Sequence, residues 1–241
     1  MTINRAIRFV FEDDRWVGKI LLGTLISLIP FFGGIALTGY AIAVLRNVRA
    51  GSPRPLPSWD RLGEHFVDGL LFVVGVLIYS LPLLILACPI ALVWILPAAT
   101  DDAQGLTNVM TTIAGIVSAG LGCLALLYAL LLWALTPVLQ IRCAEADKLA
   151  ACLRFGEVFR FTFGHIGEII IAQVLVWAAG LVVTTVLGLV IGAFGIVPIC
   201  GWVIASLLGL LFLPVGVWLM LFASYLYAEI GAGARAETPV V

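Results

Sequence analysis

Apolar and charged residues in this chain are sorted into long blocks. Four blocks contain no Asp, Glu, Lys or Arg: residues 20–45, 69–100, 103–141 and 169–228, which together hold 157 of the 241 positions. A helix needs about 20 apolar residues to cross a bilayer. The second and third blocks therefore each predict one long membrane helix, and the fourth predicts two. The break in the fourth falls at Gly195-Ile196-Val197-Pro198-Ile199-Cys200-Gly201, where a proline and two glycines interrupt the helical ladder.

The polar segments between the blocks are unequal. Arg5, Arg8, Arg15 and Lys19 precede the first block, and Arg46, Arg49, Arg54 and Arg61 follow it. Arg142, Lys148, Arg154 and Arg160 precede the fourth block, and Arg235 lies in the tail, which completes the 13 basic residues. The linker at Asp101-Asp102 and the turn at 195–201 have none. The positive-inside rule then puts the basic segments and both termini in the cytoplasm. The first block must leave and return on one side, turning near Ile29-Pro30-Phe31-Phe32-Gly33-Gly34. Each arm of roughly 20 Å is short of the ~30 Å hydrocarbon core, so the block predicts a shallow helical hairpin; the competing reading is one long helix kinked at Pro30.

The layout repeats three times, as a cytoplasmic amphipathic segment and then an apolar hairpin, with units at about 2–48, 57–142 and 145–229 of a single membrane domain spanning 1–241. Leu62-Gly63-Glu64-His65-Phe66 stands before the second hairpin, Phe155-Gly156-Glu157-Val158-Phe159 before the third, and Ile3, Ala6, Ile7 and Val10 recur at helical spacing before the first. Such segments are expected to lie in the interface, apolar side toward the acyl chains. The fold class that follows is all-α: four long membrane helices, a short N-terminal helical hairpin and interfacial helices.

In lipid, helices associate through close packing at small residues. Gly180, Thr184, Gly188 and Gly192 form one row at four-residue spacing, and Gly201, Ala205 and Gly209 form another. A tight antiparallel hairpin would nest the two. Pro82, Pro89, Pro97, Pro137 and Pro214 predict kinks or broken turns. Trp16 and Trp59 at the cytoplasmic face, with Trp94 and Trp202 at the outer one, fit interfacial belts.

Composition changes the picture by fixing the solvent. At 63% hydrophobic, 11% charged and mean hydropathy +1.17, the chain departs from soluble domains, which are about half apolar and about a quarter charged. A net charge of -1 offers no basic surface for nucleic acid. The 19 residues before the first block carry Glu12, Asp13 and Asp14, unlike a secretory signal, so the block is expected to stay in the mature protein.

Candidate chemistry is sparse. His65-x-x-Asp68 and His165-x-x-Glu168 each place an imidazole and a carboxylate one helical turn apart at a membrane entry, a candidate cytoplasmic-face polar site for which capping is the simpler reading. The five cysteines, Cys88, Cys123, Cys143, Cys152 and Cys200, show no C-x-x-C spacing, which argues against a disulfide framework or a zinc site. Asp101-Asp102 reads as a solvated loop. No ionisable residue lies deep in an apolar block, where a coupled carrier would keep one. Gln173, Thr38 and Tyr79 are among its few polar groups, and no catalytic or dinucleotide fingerprint occurs. No catalytic residue, metal or cofactor is expected.

Trp16-Val17-Gly18-Lys19, Leu37-Thr38-Gly39-Tyr40, Leu56-Pro57-Ser58-Trp59-Asp60 and Phe66-Val67-Asp68-Gly69 resemble a prokaryotic family of polytopic membrane proteins, the domain-of-unknown-function family four thousand and thirteen. The resemblance covers nearly the whole chain, and L-P-S-W-D is its sharpest motif. It implies an all-helical fold in a bacterial or archaeal plasma membrane and transfers no catalytic residue. The function expected is a non-enzymatic scaffold or accessory subunit, with membrane lipids and other membrane subunits or copies of itself as partners. The alternative is a permease or channel for a neutral or lipophilic solute, and a polar cavity reaching Gln173, Thr38 or Tyr79 would favour it.

Overall fold

The computed structural model describes residues 3–98, 104–145, 152–195 and 200–237. Asp101, Asp102, Lys148 and Pro198 lie outside them, as do the side chains of Trp94, Pro97, Cys200 and Arg235. The elements are α1 (Ile3–Arg8), α2 (Trp16–Ser27), α3 (Phe32–Arg49), a 3-10 turn (Trp59–Arg61), α4 (Leu62–Ala98), α5 (Gln104–Glu145), α6 (Phe155–Gly164), α7 (Ile166–Gly195), α8 (Cys200–Gly209) and α9 (Phe212–Glu237). Among the described residues there is no strand. Four stretches, Trp59–Leu92, Thr111–Glu145, Ile166–Gly195 and Gly201–Gly233, are long and apolar enough to cross a membrane. The protein is a polytopic helical bundle.

The first apolar block is a hairpin, and the single kinked helix is excluded. Its arms are α2, with 12 residues, and α3, with 18. At 1.5 Å per residue they reach about 18 and 27 Å, less than the hydrocarbon thickness. The turn reverses through Phe31, at φ 62, and the Gly33 amide closes it on the Ile29 carbonyl at 2.9 Å. Gly33 is required there, because a Cβ would run into the Ile26 carbonyl of the opposing arm.

Two expectations about local structure are corrected. Leu62-Gly63-Glu64-His65-Phe66 is no separate interfacial helix; it makes the first turns of α4. Helices α4 and α5 run without interruption through Pro82, Pro89 and Pro137, since each proline costs one backbone bond that the rest of a long helix in lipid outweighs. Pro214 does accompany a break, between α8 and α9 at Leu210–Leu211: it has no amide to close on the Leu210 carbonyl, and the Leu213 and Val215 amides bond to Leu210 and Leu211 instead.

Helix α3 lies at the centre, packed against α2, α4, α5 and α9. The buried core gathers toward the end of the bundle that carries the arginines: Ile42 and Leu45 of α3, Leu139 and Ile141 of α5, and Leu226 and Ile230 of α9 are each at most 2% exposed. The other halves of the long helices are apolar and bare. Ile85 is 69% exposed, Ile116 70% and Leu189 70%, a distribution that water would penalise and that acyl chains accept.

Candidate functional site

The segments Trp16–Lys19, Leu37–Tyr40, Leu56–Asp60 and Phe66–Gly69 are far apart in the chain and meet at the basic end. Helices α3 and α4 cross there at two glycines. A Cβ on Gly39 would strike the His65 carbonyl of α4, and one on Gly69 would strike the Ile35 carbonyl of α3. Only the absence of a side chain on both helices permits backbones this close.

The close crossing brings the next residues into register. Tyr40 stacks on Trp59 with centroids 4.1 Å apart and planes 7° from parallel, and His65 meets both rings edge-on. Polar atoms on these rings are directed at backbone of the loop and of α2. The Tyr40 hydroxyl donates to the Pro57 carbonyl at 3.1 Å, Trp59 Nε1 donates to the Lys19 carbonyl at 2.9 Å, and His65 Nε2 lies 3.1 Å from the Ser58 carbonyl. Lys19 Nζ donates to the Leu56 carbonyl and to Asp13 Oδ2, both at 2.7 Å. Burial works against the Asp13 charge, but the Lys19 ammonium and the Arg15 amide prevail and hold its carboxyl below the ordinary value. The proline-rich loop is thus stapled across the open end of the α2–α3 hairpin.

Beside this knot Arg46 forks onto Asp68 at 2.7 and 3.3 Å and donates through Nε to the Ala144 carbonyl at 3.0 Å, joining α3, α4 and α5. Arg49 pairs with Glu145 at 2.8 Å and reaches the Gly231 carbonyl of α9 at 3.4 Å. A surface depression of about 440 Å³, lined by Arg46, Gly63, Glu64, Val67 and Asp68, opens next to the Arg46–Asp68 pair.

The two His/carboxylate pairs do not act as pairs. His65 turns inward to Ser58, whereas Asp68 belongs to Arg46. His165 lies over the Phe161 ring, with Nδ1 3.3 Å from the Phe161 carbonyl, and Glu168 is exposed. A helix that spaces two residues by three puts them on one face, but their neighbours decide where they aim.

The small-residue rows are not brought together. Thr184, Gly188 and Gly192 lie on the exposed side of α7, and a Cβ on Gly188, Gly192 or Gly209 would meet nothing within 4 Å. Gly180 faces Leu219 of α9, Ala205 is half-buried and Gly201 is buried. Thr184 bonds within its own helix, to the Gly180 carbonyl. What α7 turns inward is the row Val183, Leu187, Ile191, one residue away from the glycine row. Trp59 is likewise inside the protein at 8% exposed rather than in a belt, whereas Trp202 at 64% faces outward.

The cysteine reading is corrected as well. Cys143 and Cys152 form a disulfide with Cα atoms 5.2 Å apart, tying the end of α5 to the segment before α6. The nine-residue separation carries no local motif, and the chain reversal that joins the two was not legible in it. Cys88 and Cys123 are free and exposed. Next to the disulfide, the Tyr79 hydroxyl donates to the Cys152 carbonyl at 3.3 Å, and the Tyr128 hydroxyl donates to the Tyr79 carbonyl at 2.7 Å.

Gln173, the most polar residue of the fourth block, is 5% exposed and hydrogen-bonded at both ends of its amide. Its amide nitrogen donates to the Trp133 carbonyl of α5 at 3.1 Å, and its oxygen accepts from the Tyr227 hydroxyl of α9 at 2.6 Å. Among the described residues no group of three or more His, Cys, Asp or Glu side chains gathers to hold a metal ion. A family model described as "Protein of unknown function (DUF4013)" matches residues 22–193. No curated protein and no solved structure matches the chain.

Proposed function

Because the chain belongs to the DUF4013 family of proteins of unknown function, which brings no activity with it, we propose from its geometry a non-enzymatic role: an integral membrane scaffold or accessory subunit. Its partners are membrane lipids and other membrane proteins or copies of itself. The observation that carries this reading is the contrast between a polar interior that is used up and an apolar exterior that is not. Gln173 spends both ends of its amide on α5 and α9. Tyr79 is 1% exposed with its hydroxyl committed, and Thr38 bonds to the Gly34 carbonyl of its own helix. A solute path needs polar groups turned toward a solute, whereas each of these three donates to a carbonyl of the protein itself. The bare flanks of α4, α5, α7 and α8 suit lipid or a partner helix.

The setting proposed with this role is a prokaryotic plasma membrane, with both termini and the arginine-rich knot in the cytoplasm, as the distribution of basic residues favours. The test is native mass spectrometry on the protein extracted at its natural abundance into lipid nanodiscs. Co-isolation of other membrane proteins, or of further copies, in a fixed ratio is the expected result. A lone chain that retains a non-lipid solute overturns the proposal in favour of transport.

A further inference from the structure

A second cavity, of about 110 Å³, lies where α1, the loop after α3 and α9 meet, and Arg5, Phe9, Glu12, Val48, Ser52 and Tyr225 are among the residues lining it. Its floor is built. Phe9 is 2% exposed and stacks on the Tyr225 ring with centroids 4.8 Å apart, which anchors α1 to α9. Tyr225 is itself only 7% exposed, yet among the described residues its hydroxyl has no hydrogen-bond partner. The ring is buried while the hydroxyl opens onto the cavity, where a bound polar group can complete it.

The rim carries one charge of each sign. Arg5 and Glu12 are both exposed, and neither side chain makes an ion pair or hydrogen bond with any described residue, although other charges nearby find partners, such as Lys19 with Asp13 and Arg54 with Asp14. The Ser52 hydroxyl donates to the Arg54 carbonyl at 3.2 Å, which leaves its lone pairs free to accept. The inventory is a guanidinium donor, a carboxylate acceptor, a phenol and a serine oxygen around a space that opens to the surface, so that a group of about eight heavy atoms fills it and projects from its mouth.

We propose that this cavity binds a small zwitterion with an anionic group and a primary ammonium: the anion at Arg5 and the Tyr225 hydroxyl, the ammonium at Glu12 and Ser52. Guanidinium forks match the oxygens of a phosphate or carboxylate, and a carboxylate with a serine oxygen matches the N–H donors of an ammonium. A trimethylated ammonium has no such donors. Two sources share this chemistry, the head group of phosphatidylethanolamine and a free molecule such as phosphoethanolamine. The exposed apolar side chains of Ile7 and Phe11, 41% and 50% exposed on the same segment, give acyl chains a surface beside the cavity.

The experiment uses the full chain in nanodiscs of phosphatidylcholine alone or doped with phosphatidylethanolamine, reading retained lipid by native mass spectrometry and soluble phosphoethanolamine by calorimetry. The expected result is one phosphatidylethanolamine retained per chain in preference to phosphatidylcholine, falling about ten-fold in Arg5→Gln and in Glu12→Gln and less in Tyr225→Phe, which keeps the stack on Phe9. Arg8→Gln, on the same helix but not among the cavity residues, is expected to bind as the unaltered protein does. Saturable binding of soluble phosphoethanolamine, lost in the same variants, would support the site with the free molecule as its ligand. Equal retention of both lipids with no soluble binding, or binding that Arg5→Gln and Glu12→Gln leave unchanged, overturns the proposal.

Discussion

At the scale of single residues, two glycines set the α3–α4 crossing, while those along the row of α7 are tolerant. Gly39 and Gly69 press backbone against backbone, so any side chain there must force α3 and α4 apart. Gly39→Ala is expected to destabilise the fold by about 1–3 kcal/mol through overpacking, whereas Gly188→Ala, with open space around it, is expected to be neutral or slightly stabilising because alanine suits a helix better. Thermal unfolding of the two variants in the same detergent decides this; equal midpoints would show that the crossing is not tight. Sequence spacing pointed to the glycine row of α7 rather than to these two. The row repeats within one helix and is visible as a pattern, while Gly39 and Gly69 stand singly in different helices and gain meaning only from contact across 30 positions. The motifs around them were legible, but not the knot they form. Asp13 makes a second prediction at this scale. Its carboxyl is held below its ordinary value, so the stabilisation it gives is complete at neutral pH and fades as pH falls below about 4, where the unfolded chain takes up the proton first. Asp13→Asn is expected to lower the unfolding midpoint at pH 7 and to bring the difference from the unaltered protein toward zero in acid.

At the scale of elements, what the chain announces in its own local order is what the structure keeps. The four long spans follow from charge-free length alone, and the N-terminal hairpin follows from length combined with the basic residues on both of its flanks. Prolines were poorer guides, because the effect of Pro82, Pro89 or Pro137 depends on what surrounds a helix able to lose one bond, whereas Pro30 and Pro214 do accompany breaks. The Cys143–Cys152 link was invisible for a related reason: it depends on a reversal between α5 and α6, not on spacing. Closing a loop of this size stabilises a protein by roughly 2–3 kcal/mol in the chain-entropy account. Cys143→Ser is therefore expected to lower the unfolding midpoint under oxidising conditions, and a strong dithiol reductant is expected to lower the unaltered protein to the same value. If the reductant leaves the unaltered protein above the variant, the cysteines stabilise by packing and not through the bond.

At the scale of the whole molecule, the bundle is polarised along its length. Ion pairs, aromatic stacks and buried core collect at the basic end, and the opposite halves of the spanning helices hold few internal contacts and many bare apolar side chains. A water-soluble protein built this way would collapse or aggregate, while in a bilayer the basic end supplies rigidity and the bare halves take lipid or a partner. The hairpin of α2 and α3 tests this arrangement, because its tip should stop inside the hydrocarbon. Phe31, 91% exposed at the turn, then faces acyl chains: an 18 Å arm entering from the basic end cannot reach the far surface of a ~30 Å core. With Cys88, Cys123 and Cys200 replaced by serine, a cysteine placed by Phe31→Cys is expected to resist a membrane-impermeant maleimide from both sides of the membrane and to react once denaturing detergent brings its thiol into water. Labelling from the outer side would mean that the hairpin spans the membrane. The knot of Tyr40, Trp59 and His65, fixed at the other end of α3, would then lie at a different depth, and the cavity at Arg5 and Glu12 would lose its place beside the head groups.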